Sequence, residues 1–357
     1  MPGERRDRDP AEIPVRDAVE RYLRRRRADA TDASIKGWKY RLKLFIEWCE
    51  GIGIEQVGDL RGYDLDEYFE VRSGQDLSPS TLRGEMTTLR MFVRYLESID
   101  AVEDGLSESV NVPRVSDEER SDDTRLDETV ALPLLRNLRE DPGWNGKRFH
   151  ALLEVAWHVG ARLGGLQALD LEDAHLEENY LHFRHRPETD TGLKNKSAGE
   201  RPVAIPAEVS EVLERYIEHF RFDVRDDHGR QPLFASRRGR ASKGLLRGLI
   251  YQATQPCLYR SCPHGKERET CSWTEYSQAS RCPSSRSPHQ IRTGSITWQL
   301  NIGIPPAIVA ERVNATTQTI KQHYDKESPL KEMEARRRPF VDEMDLEETD
   351  QEDHDDS

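Results

Sequence analysis

Residues 287 to 300, SPHQIRTGSITWQL, place a histidine and an arginine three positions apart at the start of a predicted helix. The serine can cap the helix, the proline suits its first position, and Gln290 completes a capping box. His289 and Arg292 then share one face of the first turn, where free N–H groups and the helix dipole favour an anion. The stretch predicts a phosphate site, although an isolated HxxR is roughly ten times more often an ordinary solvated helix end.

Other residues elsewhere in the chain could take part in the same chemistry. Arg162 follows a break at the end of an apolar helix, where an unpaired guanidinium is costly. Lys194 and Lys196 lie near the tip of a polar loop between two predicted strands. Tyr324 follows Ile320 by four residues, on one face of a late predicted helix. Each residue alone also has a structural explanation, as a helix-ending cation, a solvated lysine or a packed aromatic ring.

A cysteine-rich segment, CLYRSCPHGKERETCSWTEYSQASRC, precedes the HxxR helix and contains four of the five cysteines. It has little helical or strand periodicity, so it buries little surface and needs something to order it. In a reducing compartment zinc is favoured over disulfides, with free thiols or an iron–sulfur cluster as alternatives. The predicted ligands of a structural zinc are Cys257, Cys262, Cys271 and Cys282, with His264 able to replace one of them.

Length and composition favour a two-domain globular protein, since 357 residues with 35% hydrophobic content can bury sizeable cores. The N-terminus MPGERRDRDP has no apolar signal region, and no stretch approaches the length of a membrane span. We therefore expect a cytoplasmic protein without a membrane partner. The net charge is −13, but residues 341–357 contain ten Asp and Glu, which leaves only −3 for the rest of the chain. Overall acidity thus does not exclude a nucleic-acid partner.

Hydrophobic periodicity predicts a mainly α fold with a small antiparallel sheet. The predicted segments are a flexible N-terminus (1–13), a helical domain (14–107), a polar linker (108–126), a second, mainly helical domain (127–340) and an acidic disordered tail (341–357). Basic residues alternate with the apolar spacing of the first domain and suit contact with double-stranded DNA, although a plain solvated face is about as common. They are Lys36, Lys39, Arg41, Lys43, Arg83, Arg90 and Arg94.

Taken in chain order, Arg162, Lys194, the His289–Arg292 pair and Tyr324 resemble the catalytic residues of the tyrosine recombinases, the phage-integrase and Xer-like family. The resemblance spans residues 14 to 340. It implies a helical core-binding domain followed by a catalytic domain, here with the cysteine-rich insert at 257–282. The chain is similar in particular to integrase-like proteins of halophilic archaea.

This resemblance implies a site-specific recombinase or integrase that cuts and rejoins DNA. Tyr324 would form a 3′-phosphotyrosyl bond while Arg162 and Arg292 clamp the phosphate. His289 would accept the tyrosine proton, and Lys194, in preference to Lys196, would protonate the departing 5′-oxygen. The phosphotyrosine keeps the bond energy, so catalysis needs no cofactor. The implied assembly is a homotetramer on two DNA sites.

Two positions depart from the family pattern. The second His or Trp, nine residues before the tyrosine, is Ala315, and the acidic residue three after the first arginine is Gly165. A missing donor would cost about 2–4 kcal/mol of transition-state stabilisation unless Asn314 replaces it. The alternative hypothesis is an impaired or non-enzymatic DNA-binding regulator, with a helix-turn-helix that turns at Gly303.

Overall fold

The computed structural model describes residues 9–116, 124–323, 329–338 and 341. The chain forms two units, residues 1–121 and 122–357. Both are mainly helical, and the second contains a small antiparallel sheet, which confirms the predicted fold class. None of the helices in the described ranges is long and apolar enough to cross a membrane.

The N-terminal unit is a helical bundle around an aromatic core in which Phe45 and Phe92 are fully buried. Helix α2 begins after Thr31, whose hydroxyl accepts a hydrogen bond from the Ser34 amide, and ends before Gly53. Gly53 stops the helix because it adopts a left-handed conformation (φ +83°), which is common at helix C-termini. The helices are α1 (Val15–Arg26), α2 (Asp32–Ile52), α3 (Gly62–Ser73) and α4 (Pro79–Glu97).

Part of the predicted linker packs against the N-terminal unit. Val110 is fully buried in the core of this unit. Arg90 donates a hydrogen bond to the Val110 carbonyl, and Arg83 donates one to the Pro113 carbonyl at 3.1 Å. The first residues after 107 are therefore fixed to the helical bundle.

The C-terminal unit surrounds the helix Arg148–Val159 (α6), in which every side chain from His150 onward is buried. Helix α9 was not predicted, because Gly244 and Gly248 interrupt its apolar pattern. The helices are α5 (Glu128–Glu140), α6 (Arg148–Val159), α7 (Leu163–Ala168), α8 (Ala207–His219), α9 (Lys243–Ala253), α10 (Pro288–Asn301), α11 (Pro306–Val313), α12 (Thr317–His323) and α13 (Pro329–Glu332), which continues into a π-helical turn (Met333–Arg337).

A three-stranded antiparallel sheet carries the predicted lysine loop. Its order is β1-β2-β3, and residues 184–200 connect β2 to β3. The register pairs Phe183 with Arg201 across the two strands. The strands are β1 (Ala174–His175), β2 (Tyr180–Phe183) and β3 (Arg201–Ala204), and a separate hairpin joins β4 (Ala235–Ser236) to β5 (Gly239–Arg240).

Helix α6 also carries a buried carboxylate, Glu154, which is fully enclosed. Arg139 donates two hydrogen bonds to it, at 2.6 and 2.8 Å. His150 accepts the Gly146 amide at Nδ1, so its Nε2 carries the proton and donates to Glu154 at 3.1 Å. Burial by itself raises the pKa of Glu154, but the hydrogen bonds from Arg139, His150 and His158 outweigh it and leave the pKa below its ordinary value.

We expect Glu154→Gln to lower the free energy of unfolding by about 3 kcal/mol or more at neutral pH, because it leaves Arg139 without its buried partner. A carboxylate with a depressed pKa stabilises the fold above its unfolded pKa, about 4.3, and loses that contribution as pH falls. The difference in free energy of unfolding between the variant and the wild-type protein, measured by urea titration, should therefore narrow below that pH. Glu208→Gln is the control, because Glu208 is an exposed partner of the same arginine and its loss should cost under about 1 kcal/mol. A difference in free energy of unfolding that stays constant with pH would contradict this role of the ionised Glu154 carboxylate.

Candidate functional site

Helix α10 begins as its sequence predicts. Ser287 Oγ accepts from the Gln290 amide at 3.3 Å, and Gln290 Oε1 accepts from the Ser287 amide at 2.8 Å. His289 is exposed on the first turn, whereas Arg292 is only 2% exposed. The two predicted phosphate ligands thus start from one helix end but differ in depth, and Arg292 needs buried acceptors.

Those acceptors lie at the end of α11, where three consecutive carbonyl oxygens each receive one arginine. Arg201 Nε donates to the carbonyl of residue 312 at 2.7 Å. Arg292 NH1 donates to that of residue 313 at 2.7 Å, and Arg162 NH1 to that of residue 314 at 2.6 Å. The last carbonyls of a helix have no partner within it and carry its negative dipole end, so they suit guanidinium groups. We call Arg162, Arg201 and Arg292 the arginine clamp.

Arg201 was missed in the sequence, where it is one basic residue among many. The β2–β3 register places its guanidinium 4.5 Å from the centre of the Phe183 ring, and its NH1 donates to the Gly199 carbonyl at 2.9 Å. Burial lowers the pKa of Arg201 to about 10, with further lowering by the charges of Arg292 and Arg162. No spacing rule could find it, because its neighbours come from distant segments.

A fourth arginine supports the clamp from α11. Arg312 donates to Gln299 Oε1 at 2.9 Å and to the His158 carbonyl at 3.0 Å, and burial lowers its pKa. Within the described residues no carboxylate forms an ion pair with Arg162, Arg201 or Arg312. The cluster therefore concentrates positive charge that an anion such as a phosphate group would balance.

The two departures from the family pattern lie beside the clamp. A Cβ on Gly165 would be 3.4 Å from the Phe183 ring, which is ordinary van der Waals contact, so position 165 faces this ring. Ala315 is half-buried and packs with the apolar side chains of α10 and α11. The preceding residue, Asn314, is the C-cap of α11 and adopts a left-handed conformation (φ +53°).

The remaining predicted catalytic residues differ in what the structure describes of them. Lys194 and Lys196 are both exposed on the loop between β2 and β3. Asn195, between them, donates to Asn314 Oδ1 at 2.7 Å, which brings this loop to the clamp. Tyr324 lies outside the described residues, directly after α12, whose last residue is His323.

Helix α10 is fastened to the first residues of the C-terminal unit. The Leu126 amide donates to the Gln290 carbonyl at 3.1 Å, and Arg286 Nε donates to the Arg125 carbonyl at 3.2 Å. A Cβ on Gly294 would come within 1.9 Å of the Leu126 carbonyl oxygen, so only glycine permits this approach. The helix that carries His289 therefore cannot shift without moving the chain at residues 125–126.

The basic residues predicted to bind DNA in the N-terminal unit fall into two groups. Arg41, Arg83 and Arg90 are half-buried and hydrogen-bonded within the unit, with Arg41 donating to Thr88 Oγ1 at 3.1 Å. Internal hydrogen bonds therefore already engage these three guanidinium groups. The exposed group is Lys36, Lys39, Lys43 and Arg94, of which Lys43 forms an ion pair with Glu47.

The four predicted zinc ligands are free thiols. Cys257, Cys262 and Cys271 are half-buried and Cys282 is buried. In the described ranges no set of three or more His, Cys, Asp or Glu side chains is arranged to hold a metal ion. Arg268 donates to Cys257 Sγ at 3.0 Å, and His264 Nε2 lies 2.9 Å from Ser284 Oγ. The described residues therefore show no formed metal site, and a guanidinium contacts one of the four predicted sulfur ligands.

Comparison with known proteins connects this architecture to a family, although no protein-family profile matches the chain. Tyrosine recombinase XerD of Pseudomonas aeruginosa is 23% identical over 312 residues, which cover 86% of this chain and 92% of that protein. Tyrosine recombinase XerC of Herpetosiphon aurantiacus is 27% identical over 163 residues, 45% of this chain and 48% of that protein. The chain thus matches about half the length of this XerC.

Solved structures agree. The N-terminal domain of a phage integrase/site-specific recombinase from Haloarcula marismortui is 50% identical over 28% of this chain and 97% of that domain, with a TM-score of 0.28. The chain belongs to the tyrosine recombinase family. The Tn1549 transposon integrase in complex with a circular intermediate DNA shares the fold of this recombinase family member, with a TM-score of 0.62, 14% identity and coverage of 93% and 100% of the two chains.

We expect sulfate to stabilise the C-terminal unit of this recombinase family member more than chloride does at equal ionic strength, because a bound divalent anion would balance the positive charge of the arginine clamp. An anion at ten times its Kd adds about 1.4 kcal/mol. Arg201→Gln should reduce this gain, as measured by thermal unfolding. Arg238→Gln, at an exposed position of the β4–β5 turn, controls for the general salting effect of sulfate. Equal gains in the wild-type protein and Arg201→Gln would refute the anion site.

Proposed function

We propose that this protein is a site-specific DNA recombinase that cuts and rejoins strands through a 3′-phosphotyrosyl intermediate on Tyr324. The observation that carries the proposal is the arginine clamp on the end of α11, since guanidinium groups are suited to stabilise the charge that develops on the non-bridging oxygens of a phosphodiester in transfer. Helix α12 follows the clamp directly and leads into Tyr324.

In this proposal the phenol oxygen of Tyr324 attacks phosphorus, and the bond from phosphorus to the 5′-oxygen breaks. Arg162 and Arg292 stabilise the charge on the non-bridging oxygens. His289 takes the phenol proton, and Lys194 supplies a proton to the departing 5′-oxygen. Attack by a free 5′-hydroxyl reverses these steps and releases the tyrosine, so no external energy source is consumed.

A nicked suicide duplex tests the proposal, because loss of the short 5′-fragment traps the covalent complex. We expect the full-length chain to form a denaturation-resistant adduct of protein with DNA, and Tyr324→Phe to form none while binding the same DNA. The natural site is unknown, so the duplex is selected first by binding enrichment from a random library. DNA binding without any adduct in the wild-type protein would favour the regulator hypothesis instead.

The proposed assembly is a homotetramer on two DNA duplexes in a cytoplasm of high salt. Support for the assembly comes from a lambda integrase tetramer bound to a Holliday junction, which shares this fold with a TM-score of 0.59 and 12% identity over 89% of this chain and 79% of that one. Near 1 M salt the Debye length is about 3 Å, so close contacts and avidity replace long-range steering of DNA.

We also propose that zinc orders the cysteine-rich segment, with Cys257, Cys262, Cys271 and Cys282 as ligands. Burial raises the pKa of the Cys282 thiol, and the sulfur atoms of Cys257 and Cys262 raise it further, so these three groups are electrostatic neighbours. A divalent cation would relieve their mutual repulsion and favour thiolates. Arg268 would have to leave Cys257 when the metal binds.

Metal analysis of protein purified under reducing conditions should then give one zinc per chain, and Cys271→Ser should lower zinc content and thermal stability together. Cys49→Ala is the matched control, since Cys49 is fully buried in α2 and burial raises its pKa to about 12. Protein that contains no zinc but keeps a stable C-terminal unit would exclude the metal.

A further inference from the structure

The loop that carries Lys194 is exposed at its tip but anchored along its length. Arg186, near its start, donates two hydrogen bonds to the buried Asp173 at 2.8 and 2.9 Å. The Leu193 amide donates to His185 Nδ1 at 2.8 Å, and the Leu193 side chain is buried. The chain is therefore fixed up to the residue immediately before Lys194.

Beyond that point, the loop makes a tight turn with Lys194 at its second position. The Lys196 amide donates to the Leu193 carbonyl at 3.0 Å, which closes the turn. Asn195 has φ −99° and ψ 21°, values typical of the third position of a type I turn. Lys194 thus lies at the tip of the turn, whereas Lys196 is its last residue and has a left-handed conformation (φ +53°).

The second anchor of this turn is the side-chain amide group of Asn314. Asn195 Nδ2 donates to Asn314 Oδ1 at 2.7 Å, and the Asn314 carbonyl accepts from Arg162 at 2.6 Å. One residue therefore connects the lysine turn through its side chain with the arginine clamp through its backbone. Lys194 stands between two fixed neighbours, Leu193 and Asn195.

The residue type at 314 fits this connection. As the C-cap of α11 it has φ +53°, a conformation that asparagine tolerates better than most residues. A Cβ on Gly199 would stand 2.5 Å from Asn314 Nδ2, so a glycine in the lysine loop leaves room for the amide. Gly199 and Asn314 can therefore approach closely, whereas a side chain at position 199 would clash with the Asn314 amide group.

We propose that Asn314 is a positioning residue that holds the turn with Lys194 against the arginine clamp, so that Lys194 protonates the departing 5′-oxygen. The inference rests on the proposed strand-transfer function and assigns Lys194, not Lys196, as the proton donor. Asn314 acts through Asn195 and exchanges no proton itself. Asn314 directly precedes Ala315, the position where the family usually has a His or Trp. The turn after α11 therefore still contributes a polar side chain, that of Asn314.

The experiment compares two suicide duplexes that differ in one atom, with oxygen or sulfur at the 5′-bridging position of the scissile phosphate. A thiolate is a far better leaving group than an alkoxide and leaves without protonation, so a defect in proton donation disappears with sulfur. We expect Asn314→Gly to slow adduct formation about tenfold or more with oxygen and to restore it within a few-fold with sulfur. Lys194→Ala should show the same pattern with a larger defect, and Lys196→Ala should not.

Glycine is chosen because it keeps the left-handed backbone at 314 and removes only the amide. Asn179→Gly is the matched control, since Asn179 is also left-handed (φ +57°) but lies at the β1–β2 turn, and its variant should cleave both duplexes at the wild-type rate. Asn195→Ala should reproduce Asn314→Gly, and the double variant should be no slower than either single one, because both remove one contact.

Several outcomes would overturn the inference. Equal slowing on oxygen and sulfur duplexes would make Asn314 a phosphate ligand or a purely structural residue, and an unchanged rate would remove it from the mechanism. Selective rescue of Lys196→Ala would assign the proton to the other lysine. If the wild-type protein forms no Tyr324 adduct on either duplex, the proposed function fails first and the positioning role fails with it.

Discussion

The organisation of the site depends on three carbonyl oxygens at the end of α11. They accept Arg201, Arg292 and Arg162, which come from a strand, a helix start and a helix break far apart in the chain. A cation near a helix C-terminus gains about 0.3–1 kcal/mol from the dipole, which offsets part of the repulsion among three guanidinium groups. These three acceptors are backbone groups. The clamp therefore forms although position 165 is a glycine and supplies no acidic side chain.

Local signals in the sequence were sufficient for the parts of the site that are themselves local. The Ser287–Gln290 capping box predicted the start of α10, and alternating residues with a polar loop predicted the β2–β3 hairpin. Such features depend on residues within a few positions of one another, so they can be predicted from composition and spacing.

Features that depend on distant partners were not predictable in the same way. Arg201 became a site residue only through its register opposite Phe183, and Arg83 and Arg90 found carbonyl partners in a segment that was assigned to the linker. Helix α9 contains two glycines that weaken its pattern, and a Cβ on Gly248 would come within 2.1 Å of the Tyr276 ring. The cysteine-rich segment thus packs directly on α9, and that contact explains why position 248 is a glycine.

The attachment of α10 to residues 125 and 126 has a mechanical consequence. Two backbone-directed hydrogen bonds and the close approach at Gly294 join the helix of His289 and Arg292 to the point where the described chain enters its C-terminal unit. These contacts all lie within the C-terminal unit and link the position of His289 and Arg292 to that of residues 125 and 126. A displacement of either residue would therefore carry the first turn of α10 with it.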